Sequence, residues 1–213
     1  MSLTTIFFDL DDTLYPRGSQ VMYRIGQRIQ LFIEQTLNVS AERAKEIRFH
    51  WRDKYGTALR GMTEEKVAFD REDFFNFVHD IELDGVLYPD PTVRQMLLAL
   101  PLRRAILTNA NQEHARRILN HMRIADCFER IVDIRAMEYM NKPFAGSYQI
   151  ACGLMGIAPS DAILVEDTPV NTKAAMALGM KTILVDCPPS DDADIFVPHV
   201  RDVGEVVART FLA

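Results

Sequence analysis

The sequence predicts an α/β fold: a parallel β-sheet core with helices on both faces, interrupted by an inserted all-helical block. Three observations lead there. Short apolar runs recur at residues 3–8, 104–107, 162–165 and 181–185, with a weaker one at 130–134. Segments of helical period separate them, at 91–100, 111–122, 144–155 and 170–178. Residues 17 to 88 break this rhythm, because they contain helical patterns and no strand pattern. Alternating helices and wholly apolar strands indicate a Rossmann-like parallel sheet covered on both faces.

The elements follow in order. The run at 3–8 is the first strand. Residues 20–37 carry Val21, Ile25, Ile29, Phe32 and Ile33, the spacing of one helix face. Ser40 opens a second helix that runs through Trp51 toward Tyr55, and 70–81, with Phe74, Phe75, Phe77 and Val78, is a third. Gly56 and Gly61 bracket Arg60 and would let that stretch bend between helices. The chain returns to the α/β pattern near Tyr88-Pro89-Asp90-Pro91. Pro143 is placed to start a helix, and Gly179 reads as a C-cap before the next strand. The tail adds an edge strand at 195–197 and a final helix. The expected division is a core of residues 1–16 and 89–213, with a helical domain at 17–88.

Composition excludes several function classes. The chain has 213 residues, 48% apolar and 25% charged, and a formal net charge of -6. A nucleic-acid binder presents a basic face; here basic residues are dispersed, apart from Arg103-Arg104 and Arg116-Arg117. No stretch approaches about 18 uninterrupted apolar residues, so no membrane span is expected. Cys127, Cys152 and Cys187 have no metal-ligand spacing and suggest buried thiols in a reducing compartment. With the first strand beginning at once and no leader expected, a cytoplasmic enzyme, monomer or homodimer, is the working reading.

The chemistry begins where the first strand ends. Residues 6–14 read Ile-Phe-Phe-Asp-Leu-Asp-Asp-Thr-Leu. Residues two apart on a strand share a face, which would set Asp9 beside Asp11. Two such carboxylates repel by a few kcal/mol at intermediate dielectric. A hard cation relieves that repulsion, and Mg²⁺ takes carboxylate oxygens, water and phosphate. Three further signals share this logic: Thr108-Asn109 after the second strand, Lys142-Pro143, and Glu166-Asp167-Thr168-Pro169-Val170-Asn171. Ligands bind at the carboxyl ends of strands in open parallel sheets, so these groups can converge.

In this order the four signals resemble the motifs of the haloacid dehalogenase (HAD) superfamily, and the block at 17–88 resembles its cap domain. The resemblance implies Asp9 as nucleophile, forming an aspartyl-phosphate, and Asp11 as general acid and base. It implies Thr108 and Lys142 on the phosphoryl group, Asn109 beside them, and Mg²⁺ held by Asp9, the Asp11 carbonyl and Asp167. Glu166 and Asn171 would orient or extend that sphere. Dehalogenase members lack a carboxylate at the position of Asp11, since halide leaves without a proton. Its presence implies a phosphatase acting on a small phosphorylated metabolite. Residues 7–16, 55–61 and 108–110 are similar to the pyrimidine 5′-nucleotidase-like branch, which hydrolyses nucleoside monophosphates such as UMP and CMP. Asn171 departs from the aspartate common at its position, keeping an oxygen but losing a charge. Alternatives are a sugar phosphatase, a phosphomutase, or an idle binding protein on the same scaffold.

Some residues admit a plainer reading. Asn109 suits a helix N-cap. Arg60 is the candidate substrate contact of the helical block, or a solvent-facing arginine in a turn. Tyr15 would stack on a base, line a hinge or simply pack. His50, Trp51, Phe74, Phe75 and Phe77 read as the core of the helical block. His114 and His121, seven apart, read as a solvated helix face, and Asp191, Asp192 and Asp194 as an acidic surface loop.

Overall fold

A computed structural model describes residues 3–212. The chain divides into two compact units, one formed by residues up to Ser19 and from Leu87 onward, the other by Gln20–Val86.

The first unit opens with β1 (Thr5–Phe8), every residue of which is buried. The helical unit intervenes with α1 (Val21–Leu37), α2 (Ala41–Tyr55), α3 (Ala58–Glu64) and α4 (Arg71–His79). The first unit then continues with α5 (Pro91–Ala99), β2 (Arg103–Leu107), α6 (Gln112–His121), β3 (Arg130–Val132), α7 (Ala145–Met155) and β4 (Ala162–Glu166). It closes with α8 (Pro169–Met176), β5 (Lys181–Val185), β6 (Ile195–Val197) and α9 (Val203–Val206), which runs on into a wider helical turn at Val207–Phe211. The six strands form one sheet in the order β3-β2-β1-β4-β5-β6, with every pair parallel. Helices lie on both faces, which is why β1 and β4 are buried along their whole length.

This strand order matters for the site. The chain winds outward from β1 through β2 to β3, then crosses back to place β4 on the other side of β1. A crevice forms at the carboxyl ends where that reversal occurs. Phe8 is in register with Ile106 of β2 and Val165 of β4, so the segments leaving these three neighbours emerge together. The Asp9 amide still donates to the Val165 carbonyl at 2.9 Å, and the Thr108 amide to the Val132 carbonyl at 3.0 Å.

Several local expectations change. The segment around Arg60 is the helix α3, and Gly61 lies inside it. A Cβ at Gly61 would fall 2.2 Å from Trp51 Cγ, so this glycine serves the close packing of α3 on α2. Only Gly56 marks a bend, capping α2 at φ 83°. The N-cap of α6 is Asn111, whose side chain accepts the His114 amide, so Asn109 is released from that role. Helix α7 begins at Ala145, with Phe144 as its cap, so Pro143 precedes the helix. Cys127 and Cys152 are buried, but Cys187 is only half-buried. Within the helical unit Trp51, Phe74 and Phe75 are core, whereas His50 is exposed and Phe77 lies half-buried beneath the Arg28 guanidinium. Among the described residues no helix is long and apolar enough to cross a membrane.

Candidate active site

Asp9 follows β1 directly. The chain does not stay extended beyond it: the Leu14 amide donates to the Leu10 carbonyl at 3.0 Å, closing a helical turn. Strand alternation therefore does not place Asp11. The turn sets the four-residue spacing of a helix instead, which brings Thr13 to Asp9 and Tyr15 to Asp11. Asp12 takes the left-handed conformation within it, φ 60°, which aspartate tolerates better than most residues.

The centre is a buried ammonium. Lys142 Nζ lies 2.7 Å from Asp9 Oδ1 and 2.6 Å from Glu166 Oε2, with the lysine side chain only 2% exposed. Asn109 positions the loop that carries it: its Oδ1 accepts the Lys142 amide at 2.8 Å, and its Nδ2 donates to the Lys142 carbonyl at 3.1 Å. The Lys142-Pro143 bond is cis. Asn109 thus reaches the backbone of Lys142, which is a positioning contact. Thr108, buried at the end of β2, accepts the Ala110 amide on its hydroxyl at 3.0 Å.

Asp167 follows β4. Arg17 Nη2 donates to Asp167 Oδ2 at 2.5 Å and to its carbonyl at 2.9 Å. Thr13 spans the two strand ends, its hydroxyl 3.2 Å from Asp9 Oδ2 and 3.4 Å from Asp167 Oδ1. Glu166 uses its second oxygen, Oε1, to accept the Asp167 and Thr168 amides, both at 3.2 Å. Asn171, buried in the first turn of α8, accepts the Tyr148 hydroxyl on its carbonyl at 2.9 Å.

Asp11 has separate partners. Its Oδ1 accepts the Tyr15 hydroxyl at 2.5 Å and lies 2.9 Å from His114 Nε2. His114 is therefore no solvated face of α6; its side chain is 1% exposed. His121 likewise contacts the Leu87 carbonyl, at 2.9 Å. His114 shares the buried face of α6 with Ala115, Ile118 and Leu119, whereas His121 at its end is half-buried.

Charge at this edge is unbalanced. Burial, then the negative field of Glu166, raises the Asp9 carboxyl to about 7. Burial raises Glu166 to about 7 as well, against the pull of Lys142. Burial and the Asp9 charge push Asp167 up to about 6. Burial works against the Lys142 ammonium, but attraction from Asp9 and Glu166 outweighs it and holds that group charged. Asp12 is raised to about 6 by burial and by Asp11. Its Oδ1 is buried without a hydrogen-bond partner.

These residues fit a hard divalent cation. Carboxylate oxygens of Asp9, Glu166 and Asp167 lie within 4.8 Å of one another. Burial first, and then neighbouring negative charge, raises the Asp9 and Asp167 carboxyls, and every donor is oxygen, the set Mg²⁺ takes. Both Glu166 oxygens are already engaged, one by Lys142 and one by two amides, which suits an orienting role. Asp9 and Asp167 are then the side chains that would hold the ion. The guanidinium of Arg17 on Asp167 shows that this carboxylate already attracts a cation.

Of the residues read from sequence, the structure gathers Asp9, Asp11, Lys142 and Asp167, with Thr108 and Asn109 at the adjoining strand end. Arg60 lies in the helical unit, on α3, 3.2 Å from Glu64. Sequence reasoning gave no role to Thr13, Arg17 or His114, and left Tyr15 open. The four-residue spacing of Thr13 from Asp9 and of Tyr15 from Asp11 was a usable signal. Nothing local could have paired His114 with Asp11, 103 residues away.

The model of the haloacid dehalogenase-like hydrolases matches residues 3–179. The chain belongs to that family. It is 25% identical over 194 residues to phosphate metabolism protein 8 of Saccharomyces cerevisiae, an alignment covering 84% of this chain. The chain spans about 60% of the length of that relative. The fold is shared with an HAD phosphatase from Thermococcus onnurineus, at a TM-score of 0.63 and 15% identity, covering 96% of this chain and 97% of that one. It is equally shared with L-2-haloacid dehalogenase from Xanthobacter autotrophicus, at 0.63 and 16% identity, covering 99% of this chain and 100% of that one. Fold likeness alone does not choose between these two chemistries.

Proposed function

We propose that the protein is a Mg²⁺-dependent phosphomonoesterase acting through an aspartyl-phosphate on Asp9, with pyrimidine nucleoside 5′-monophosphates as its substrates. One observation carries the reading. Two carboxylates two residues apart make different hydrogen bonds: Asp9 with Lys142 and Thr13, Asp11 with Tyr15 and His114. Carboxyl groups in separate environments divide into separate roles.

Lys142 and Thr13 fix the Asp9 carboxylate and hold it ready to attack phosphorus. As the bond from Asp9 oxygen to phosphorus forms, the bond to the leaving oxygen breaks, and Asp11 gives that oxygen its proton. Water then attacks the phosphorus of the aspartyl-phosphate, Asp11 takes a proton from it, and inorganic phosphate leaves with Asp9 restored. Thr108, whose oxygen accepts from the Ala110 amide, keeps its hydroxyl proton to donate to a phosphoryl oxygen. Lys142 offsets negative charge at the nucleophile and the phosphoryl group, the kind of fixed electrostatic contribution this chemistry depends on. Asp9, Asp167 and the Asp11 carbonyl would hold Mg²⁺, which would supply further neutralisation there. A carbon–halogen cleavage has no use for a proton donor at Asp11, which favours phosphate over halide as the group handled. The helical unit serves as the cap that selects the substrate, and Arg60 is its candidate contact.

The test is a panel of UMP, CMP, purine nucleotides and sugar phosphates with Mg²⁺ present. Turnover of UMP and CMP well above the others is expected. Preferential turnover of sugar phosphates overturns the nucleotide assignment while leaving the phosphatase. Asp9→Asn should lower kcat by about 10³-fold or more; full retained activity removes the covalent route.

A further inference from the structure

We propose that His114 is a positioning residue for Asp11, acting together with Tyr15 to fix which oxygen of that carboxyl serves the leaving group. The proposal rests on the phosphatase reading above.

The geometry is specific. Tyr15 and His114 approach the same oxygen, Oδ1, at 2.5 and 2.9 Å. They come from separate parts of the chain, Tyr15 four residues after Asp11 and His114 from α6. Both are nearly sealed from solvent: Tyr15 is 2% exposed and the His114 side chain 1%. The imidazole is itself built in, because the Asn111 side chain caps its backbone amide at 3.2 Å, at the third residue of the helix.

A carboxyl oxygen has two lone-pair sites, enough for both donors. With Tyr15 O–H and His114 Nε2–H on Oδ1, rotation of the carboxyl about its Cβ–Cγ bond is arrested. The proton exchanged with substrate then travels on Oδ2. This matters because Asp11 sits on a turn after the strand has ended, where the backbone alone does not aim its side chain. An aspartate with two free torsions would present either oxygen in many directions, and general acid catalysis depends on reach and angle. Neither residue belongs to the acidic, threonine or lysine signals read from the sequence, and neither touches the Lys142 cluster in the contacts described above.

Leaving-group dependence distinguishes this role from packing. Departure of p-nitrophenolate needs little protonation; departure of an alkoxide needs it fully. The experiment measures kcat/KM, which reports on steps through leaving-group release, for p-nitrophenyl phosphate and for a simple alkyl phosphate with Mg²⁺. The holding variants are His114→Leu, His114→Gln and Tyr15→Phe in the full chain.

His114→Leu should lower the alkyl phosphate value at least about tenfold more than the aryl one. His114→Gln, which keeps an N–H near the Nε2 position, should recover most of that difference. Tyr15→Phe removes only a hydroxyl and should shift the ratio the same way, and it remains informative if His114→Leu fails to fold. Equal losses on both substrates, or no loss in any variant, overturn the proposal. Wild-type protein inactive on both substrates overturns the phosphatase reading and this inference with it, an outcome visible before any variant is made.

Discussion

The carboxyl edge of the sheet and the interior of the helical unit bury side chains of opposite kinds. At the edge, Asp9, Lys142, Glu166 and Asp167 are all buried, and more acids than bases crowd together. In the helical unit, Phe32, Phe69 and Phe74 meet edge to face at centroid separations of 5.2 to 6.4 Å around buried apolar residues. Its ion pairs Arg43–Glu46 and Arg52–Asp53 lie on the surface. Aromatic burial of this kind stabilises a fold. Buried unbalanced charge costs stability and is retained for chemistry. The difference separates a region built to hold together from the one proposed to react.

Removing the charge at the centre should break that contrast most severely. Lys142→Met leaves Asp9 and Glu166 without their shared cation. It should abolish activity and destabilise the protein by about 3–5 kcal/mol. Denaturant unfolding measures this, and adding Glu166→Gln should restore part of the stability. A single variant as stable as wild type would show that the lysine does not compensate these acids.

Acidity sharpens the comparison next. The carboxyls of Asp9 and Glu166 are raised to about 7 and those of Asp12 and Asp167 to about 6. An acid whose folded pKa exceeds its unfolded value binds protons more readily when folded. Its stabilising contribution is complete below the unfolded value, near 4, and disappears as pH rises through 6 to 7. Metal-free protein should therefore melt at a higher temperature at pH 5 than at pH 8. Mg²⁺ should raise the melting temperature at pH 8 more than at pH 5, since protons and the ion compete for the same oxygens. Melting in EDTA that is highest at pH 8 would contradict the buried-charge account.

The smallest expected effect lies in the other region. Gly61→Ala places a methyl group against the Trp51 side chain and should cost about 1–3 kcal/mol through overpacking. Thermal unfolding reads it directly. An unchanged melting temperature would mean that α2 and α3 separate more easily than their packing suggests.

Much of the site was legible in sequence because its chemistry is written in residue types at strand ends. An apolar run that stops at Asp9 announces a buried carboxylate, and Glu166-Asp167 after another run does the same. Thr13 and Tyr15 were less visible, because strand alternation continued past Phe8 hides the helical turn that brings them to Asp9 and Asp11. His114 was misread for a different reason. Two histidines seven apart on one helix, with no third metal ligand in view, read as a solvated face, and only the packing of α6 within the first unit buries His114. Helix α3 was missed because two glycines suggested a bend, whereas one of them exists to let a tryptophan approach.

By itself the sequence determined the alternation of strands and helices, the place where a helical block interrupts it, and the residue types that carry the chemistry. Those follow from local periodicity and from abrupt changes of polarity, which depend only on neighbours in the chain. Tertiary structure alone decided which lysine neutralises which acid, that Asn109 clamps the Lys142 backbone, and that Tyr15 and His114 share one oxygen of Asp11. Such pairings join segments up to more than a hundred residues apart, and hydrogen bonds are set by distances of tenths of an ångström that no spacing along the chain encodes.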